Sequence, residues 1–165
     1  MIAELRASGA LRIAIDGDHG AGKSTLAKAL AFALQFQYIE LDSYLERNQR
    51  AYVDYIDYGS LAVALKTTQS FVIEGVCLLE VLERVNFRPQ ANIYLKRMRY
   101  GIWADEERFD IFEPLDEVLV KAREMASLFS STPVVCLGLD EEVIRYHARF
   151  RPHHSADITF LVEAR

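Results

Sequence analysis

The chain has 165 residues, 51% of them hydrophobic and 26% charged, with a formal net charge of −5. That length fits one compact domain over residues 1–165, and the composition argues against a disordered chain and against a general polyanion-binding surface. Basic clusters at Lys96–Arg99 and Arg145–Arg151 are too local to reverse that sign, so nucleic acid is not an expected partner.

The elements expected in chain order alternate between short apolar runs and longer helical patterns. LRIAI (Leu11–Ile15) reads as a strand by its branched content, and KSTLAKALAFALQF (Lys23–Phe36) as a helix by its alanine and leucine. QYIEL (Gln37–Leu41) is a second strand, Leu61–Thr67 a helix, FVIEG (Phe71–Gly75) a third strand and NIYL (Asn92–Leu95) a fourth. Helices are expected over Leu115–Phe129 and Glu141–Phe150, and DITFLV (Asp157–Val162) closes the chain as a fifth strand. The stretch Ser130–Asp140 reads either as a connector or as an extra strand. The alternation predicts an α/β fold with a five-stranded, mainly parallel sheet flanked by helices on both faces.

Between the first strand and its helix lies GDHGAGKST, in which Gly17, Gly22, Lys23 and Ser24 match G-x-x-x-x-G-K-[ST]. This P-loop pattern predicts a P-loop NTPase fold and a nucleoside triphosphate ligand. The backbone of Gly17, Gly20, Ala21, Gly22, Lys23, Ser24 and Thr25 would wrap the phosphates, with the helix N-terminus adding its positive dipole end. Lys23 would reach the β and γ phosphates and Ser24 would ligate Mg²⁺. Asp18 and His19, inside the loop, are expected to face outward, since a carboxylate beside a bound anion is electrostatically unhelpful. Ligands of such sheets sit at the carboxyl ends of the strands, where Asp42 and Glu74 fall. Glu74 reads as a metal-holding acid, and Gly75 leaves room for close approach. Asp42 is placed to take a proton from an attacking hydroxyl.

The segments GDHGAGKST, ELDSYL, VIEG and RYHARFRPHHSADITF together resemble, in order and spacing, the uridine kinase-like group of P-loop kinases, which includes phosphoribulokinase and nicotinamide riboside kinase relatives. The resemblance spans most of the chain. It implies an ATP- and Mg²⁺-dependent phosphotransferase acting on a small-molecule hydroxyl, with a nucleoside or sugar-like acceptor. By the same resemblance Asp42 is the general base, Ser24 and Glu74 share the metal with Asp42 close by, and a lid at about 96–110 supplies Arg97 with Arg99 or Arg108. The acceptor segment departs from the group's D-H-P-D, having Asp54, Tyr55, Ile56 and Asp57 instead. Asp54 keeps the first acid, and Tyr52, Tyr55 and Tyr58 form a possible aromatic wall, with Tyr44 also near the acceptor.

Two other readings stay open. One is a shikimate- or gluconate-type kinase, and the other is an ATP-binding regulator that hydrolyses slowly or not at all. His147, His153 and His154 have no cysteine neighbours or i, i+4 spacing on which to read a zinc site, and are expected to be structural or solvent-exposed. Cys77 and Cys136 form no C-x-x-C pair, and no run of about 18 apolar residues occurs. The expected compartment is therefore the reducing cytoplasm, without a membrane partner; an oligomer stays open.

Overall fold

A computed structural model describes residues 1–46, 51–130, 132, 134 and 137–163. The elements are α1 (Ile2–Ser8), β1 (Arg12–Gly17), α2 (Lys23–Leu34), β2 (Gln37–Glu40), α3 (Tyr58–Thr67), β3 (Phe71–Glu74), α4 (Leu78–Arg84), β4 (Ala91–Arg99), β5 (Ile102–Trp103), α5 (Glu106–Phe109), α6 (Leu115–Leu128), α7 (Leu139–Phe150), α8 (Pro152–Ser155) and β6 (Ile158–Glu163). Among the described residues two 3₁₀ turns, Leu41–Tyr44 and Val53–Tyr55, lie between β2 and α3.

The parallel strands are ordered β2-β3-β1-β4-β6, because β1 pairs with both β3 and β4, and β4 carries β6 along its other edge. β5 adds a two-residue antiparallel pairing with Met98 and Arg99. Among the described residues the sheet therefore has six strands, one more than expected. The extra strand arises because β4 does not stop at Leu95: its Lys96, Arg97 and Met98 continue the ladder with Leu161, Val162 and Glu163. Side-chain alternation splits the sheet into two faces. Ile13, Ile15, Val72, Ile93 and Leu95 pack with Leu5 of α1 and with Ala27, Leu30 and Ala31 of α2. Ala14, Ile39, Phe71, Ile73 and Tyr94 pack on the opposite face with Leu61 and Leu65 of α3, Val81 and Leu82 of α4, and Val143 and Ile144 of α7. Helices cover both faces, as the alternating pattern predicted.

Local chemistry fixes the ends of the helices. α2 begins at Gly22, whose φ of 93° is left-handed, and stops at Gln35, also left-handed. Asp57 caps α3, its carboxylate accepting from the Ser60 backbone N–H at 3.0 Å. α7 places Asp140, Glu141 and Glu142 in its first turn and His147 and Arg149 in its last, matching the helix dipole. The short helices α1, α4, α5 and α8 have too few residues for a legible period and were not anticipated. Among the described residues no helix is long and apolar enough to cross a membrane. Part of Ser130–Asp140, including Cys136, lies outside the described residues.

Candidate active site

The register sets the ends of β1, β2 and β3 side by side, Glu74 of β3 lying opposite both Ile15 of β1 and Glu40 of β2. The P-loop leaves β1, Asp42 follows β2 in its 3₁₀ turn, and Glu74 ends β3. Gly17 stands at the crowded exit, where a Cβ would come within 3.0 Å of the Leu95 carbonyl oxygen. Gly20 and Gly22 have φ of 70° and 93°, a curl that L-residues with side chains rarely adopt.

Lys23 is buried, and its Nζ donates to the Asp18 carbonyl at 2.7 Å. Burial pushes its pKa down, against the upward pull of the carboxylates of Asp16, Glu74, Asp18 and Asp42. The structure thus gathers Lys23, Asp42 and Glu74 into one electrostatic neighbourhood. Ser24 Oγ donates to Glu74 Oε1 at 2.8 Å, and the Tyr38 hydroxyl donates to the same oxygen at 2.9 Å. A hydroxyl and a carboxylate oxygen in contact are a fitting pair of hard donors for Mg²⁺. Ala21 is buried beneath the loop, whereas Thr25 is exposed on the first turn of α2.

Asp42 is exposed, and its Oδ1 accepts from the Tyr52 hydroxyl at 2.5 Å. Tyr52 itself is buried, its backbone N–H bound by Glu142 Oε2 at 2.6 Å. The three tyrosines therefore do not form one wall. Tyr52 holds Asp42, the Tyr58 hydroxyl donates to the Val53 carbonyl at 2.5 Å, and Tyr55 is exposed. Tyr44 is half-buried beside the Leu45–Ile56 bridge. Asp54 points to the surface and pairs with Arg84 at 2.8 Å.

Two expectations need correction. Asp18 does not face outward: its side chain is 2% exposed, with Oδ2 lying 3.7 Å from Arg97 and 3.6 Å from Arg108. Two guanidinium groups supply the positive field that makes this burial tolerable, and only His19 turns to solvent. The segment 96–110 is also not a free loop. Lys96–Arg99 complete β4, a turn at Tyr100 and Gly101 leads into β5, and α5 follows. Trp103 and Phe109 anchor it in the core, and Arg97 Nη2 donates to buried Asp105 at 2.5 Å. Arg108 also bonds Asp140 at 3.0 Å, whereas Arg99 is exposed over the Tyr100 ring and away from this cluster.

Sequence reasoning missed the support beneath the loop. Asp16 is buried; its Oδ1 accepts from Gly17 N–H at 2.6 Å and its Oδ2 from the Tyr146 hydroxyl. Burial raises its pKa to about 6 despite those bonds and the Lys23 charge. An acid closing an apolar run was a visible signal for Asp16; Tyr146 of α7 carried none.

The arrangement matches known architectures. A possible uridine kinase from Bacillus stearothermophilus superimposes with a TM-score of 0.50 at 17% identity, covering 96% of each chain. The fold is the P-loop NTPase fold that the sequence pattern predicts. A shikimate kinase from Aquifex aeolicus has a TM-score of 0.47 at 15% identity, covering 91% of this chain and 86% of its own, and a gluconokinase from Sinorhizobium meliloti has 0.42 at 18%, covering 88% and 93%. In sequence, the shikimate kinase family matches residues 19–56, which hold most of the P-loop, β2 and Asp42. No curated protein is significantly similar to the chain in sequence.

Proposed function

We propose that this protein is an ATP-dependent small-molecule kinase that phosphorylates a hydroxyl of a nucleoside or sugar-like acceptor. The observation that carries this reading is the convergence of Asp42 and the Ser24–Glu74 pair on buried Lys23 at the mouth of a curled P-loop. A P-loop with Lys23 alone would serve any nucleotide binder; Asp42, held on one oxygen by Tyr52 with the other uncommitted, supports a reading in which a proton moves.

When bound, ATP–Mg²⁺ supplies the transferable γ-phosphoryl group and neutralises much of its charge. The chain's own residues then have distinct duties. Backbone N–H groups at the start of α2, from Gly22 to Thr25, would face the phosphates, and Lys23 would add a cation there. Ser24 and Glu74 would hold the metal. Tyr52 fixes the orientation of Asp42 through Oδ1, and Oδ2, which makes no hydrogen bond to the described residues, takes the acceptor's hydroxyl proton. Arg97 and Arg108 bring positive charge to the loop, with Asp18 holding them near it. Placement in the uridine kinase-like group rests on the motif set together with the fold. A shikimate-type acceptor, a ring carrying hydroxyls and a carboxylate, is the second reading, supported by the family match over residues 19–56.

Acceptor-dependent ATP consumption against a panel of nucleosides, sugars and polyol acids tests the proposal. Asp42→Asn keeps the shape and the Tyr52 contact but cannot take a proton, so turnover should fall by about 10²–10⁴-fold with ATP affinity little changed. Near-normal turnover in that variant, or ATP consumption indifferent to every acceptor, refutes it.

A further inference from the structure

Two histidines are buried behind the site, and they are treated differently by their surroundings. His147 is satisfied on both nitrogens, with Nδ1 bonded to the Val143 carbonyl at 2.7 Å and Nε2 to the Tyr94 hydroxyl at 2.8 Å. His153, in α8, is not. Its side chain is 1% exposed, packed against Trp103 with ring centroids 5.0 Å apart, and neither ring nitrogen has a hydrogen-bond partner among the described residues. A buried imidazole left this way is costly unless something else uses its lone pair.

The lone pair has company. His153 Nε2 lies 3.5 Å from Asp110 Oδ1, and His154 Nε2 lies 3.0 Å from that same oxygen. The ligand atoms of all three residues fall within 4.8 Å of one another. Bonds of about 2.0–2.1 Å to one tetrahedral ion separate its ligand atoms by roughly 3.3–3.4 Å, and an octahedral ion by about 2.9 Å. The two nitrogen-to-oxygen separations, 3.5 and 3.0 Å, lie close to those values.

We propose that His153 Nε2, His154 Nε2 and Asp110 Oδ1 form a binding site for a divalent transition-metal cation of the zinc class. Two imidazoles with one carboxylate favour Zn²⁺, Co²⁺ or Ni²⁺ over Mg²⁺ and Ca²⁺, which prefer all-oxygen shells. The site is thus chemically distinct from the Ser24–Glu74 pair. His154 is 53% exposed, which opens the cluster to an entering ion and to a water as fourth ligand. Lys96, whose Nζ lies 4.1 Å from the Trp103 ring centroid, is the opposing positive charge on that side, and Asp110 offsets it. The spacing signal that sequence reading looked for is absent because the third ligand comes from another element. Asp110 ends α5, the helix of Arg108, so a bound ion ties the arginine-bearing segment to α8 and the strand after it.

Isothermal titration of untagged, nucleotide-free protein with ZnCl₂ should show one equivalent bound. CoCl₂ should give visible absorption with the intensity of a four- or five-coordinate site. Because His153 lies in the core, the variants are placed at its more accessible partners. His154→Ala and Asp110→Asn should each weaken Zn²⁺ binding by more than about 100-fold, exceeding the loss of about 10–100-fold typical of an outer-shell partner. His19→Ala and Glu74→Gln should bind as the parent does. Circular dichroism of both site variants should match the parent. No binding in the parent, unchanged affinity in His154→Ala and Asp110→Asn, or a loss confined to Glu74→Gln overturns the proposal.

Discussion

Gly75 follows Glu74 directly and packs on Leu41, the residue before Asp42, so a single methyl group there should test how firmly the two acids are coupled. A Cβ at position 75 would stand 2.7 Å from Leu41 Cβ and 2.6 Å from its Cδ2. Carbon atoms in contact settle at about 3.5–4.0 Å, so at least about 0.8 Å must be found. Rotating the side chain can move Cδ2 but not Cβ, and Leu41 is fully buried, so the backbone of the 3₁₀ turn must give. Overpacking of this kind costs about 1–3 kcal/mol, which for a domain of this size lowers Tm by roughly 3–9 °C. Asp42 is carried along with Leu41. Displacing a catalytic group by about 1 Å can cost on the order of 10²-fold in rate, so Gly75→Ala should lose turnover well beyond its loss of folded fraction. Differential scanning calorimetry and acceptor-dependent ATP consumption read the two effects separately. Gly59→Ala is the control: its Cβ would meet nothing closer than Asp57 Oδ1 at 3.4 Å, and it should be neutral or slightly stabilising. A Gly75→Ala protein with the parent's Tm refutes the packing argument. One with lowered Tm but intact turnover refutes the coupling of Leu41 to a working Asp42.

Glu74→Gln should raise the Mg²⁺ concentration needed for half-maximal turnover, because it removes a charge from the metal-holding pair; an unchanged Mg²⁺ dependence places the metal elsewhere. Arg97→Ala should lower turnover more than ATP affinity and also cost about 1–3 kcal/mol in urea unfolding, since buried Asp105 loses its partner; an equal loss of affinity puts Arg97 on the ground-state nucleotide. Asp16 titrates at about 6 in the folded protein against about 3.9 unfolded, so the native state holds a proton that the unfolded chain has released. Its contribution of about 3 kcal/mol is fully present below about pH 4 and lost as pH rises through 6, and Asp16→Asn should flatten the urea-unfolding profile across that window; a profile with the parent's slope counts against this account.

What could be read from the sequence followed the range over which each interaction acts. The P-loop was legible because its chemistry is contained in consecutive residues, Gly17 to Ser24, between a strand and a helix. The placement of Asp42 and Glu74 at neighbouring strand ends was legible because a parallel sheet lines up those ends, whatever the packing around them. Asp18 was misplaced because the two arginines that accommodate it arrive from β4 and α5, neither of them near it in sequence. The continuation of β4 past Leu95 was hidden by its basic composition, since its partner strand lies at the other end of the chain. Tyr52 was assigned to the acceptor as an aromatic surface, whereas its hydroxyl is bound to Asp42, a contact that needs the turn geometry to be seen.

The bond from Tyr146 to Asp16 joins residues 130 positions apart and bears on the order in which a nascent chain can mature. A ribosome delivers the phosphate-binding loop early, yet the hydroxyl that satisfies the acid beneath it emerges only with α7, and β6 follows later still. Until then the N-terminal half carries a carboxylate that water solvates better than an incomplete core would, so premature collapse around β1 is disfavoured. Contacts of such long sequence separation also slow folding, as loop-closure entropy is spent before they form. Truncations ending before Tyr146 should accordingly yield chains that neither fold cooperatively nor retain nucleotide, even though every residue of the P-loop is present.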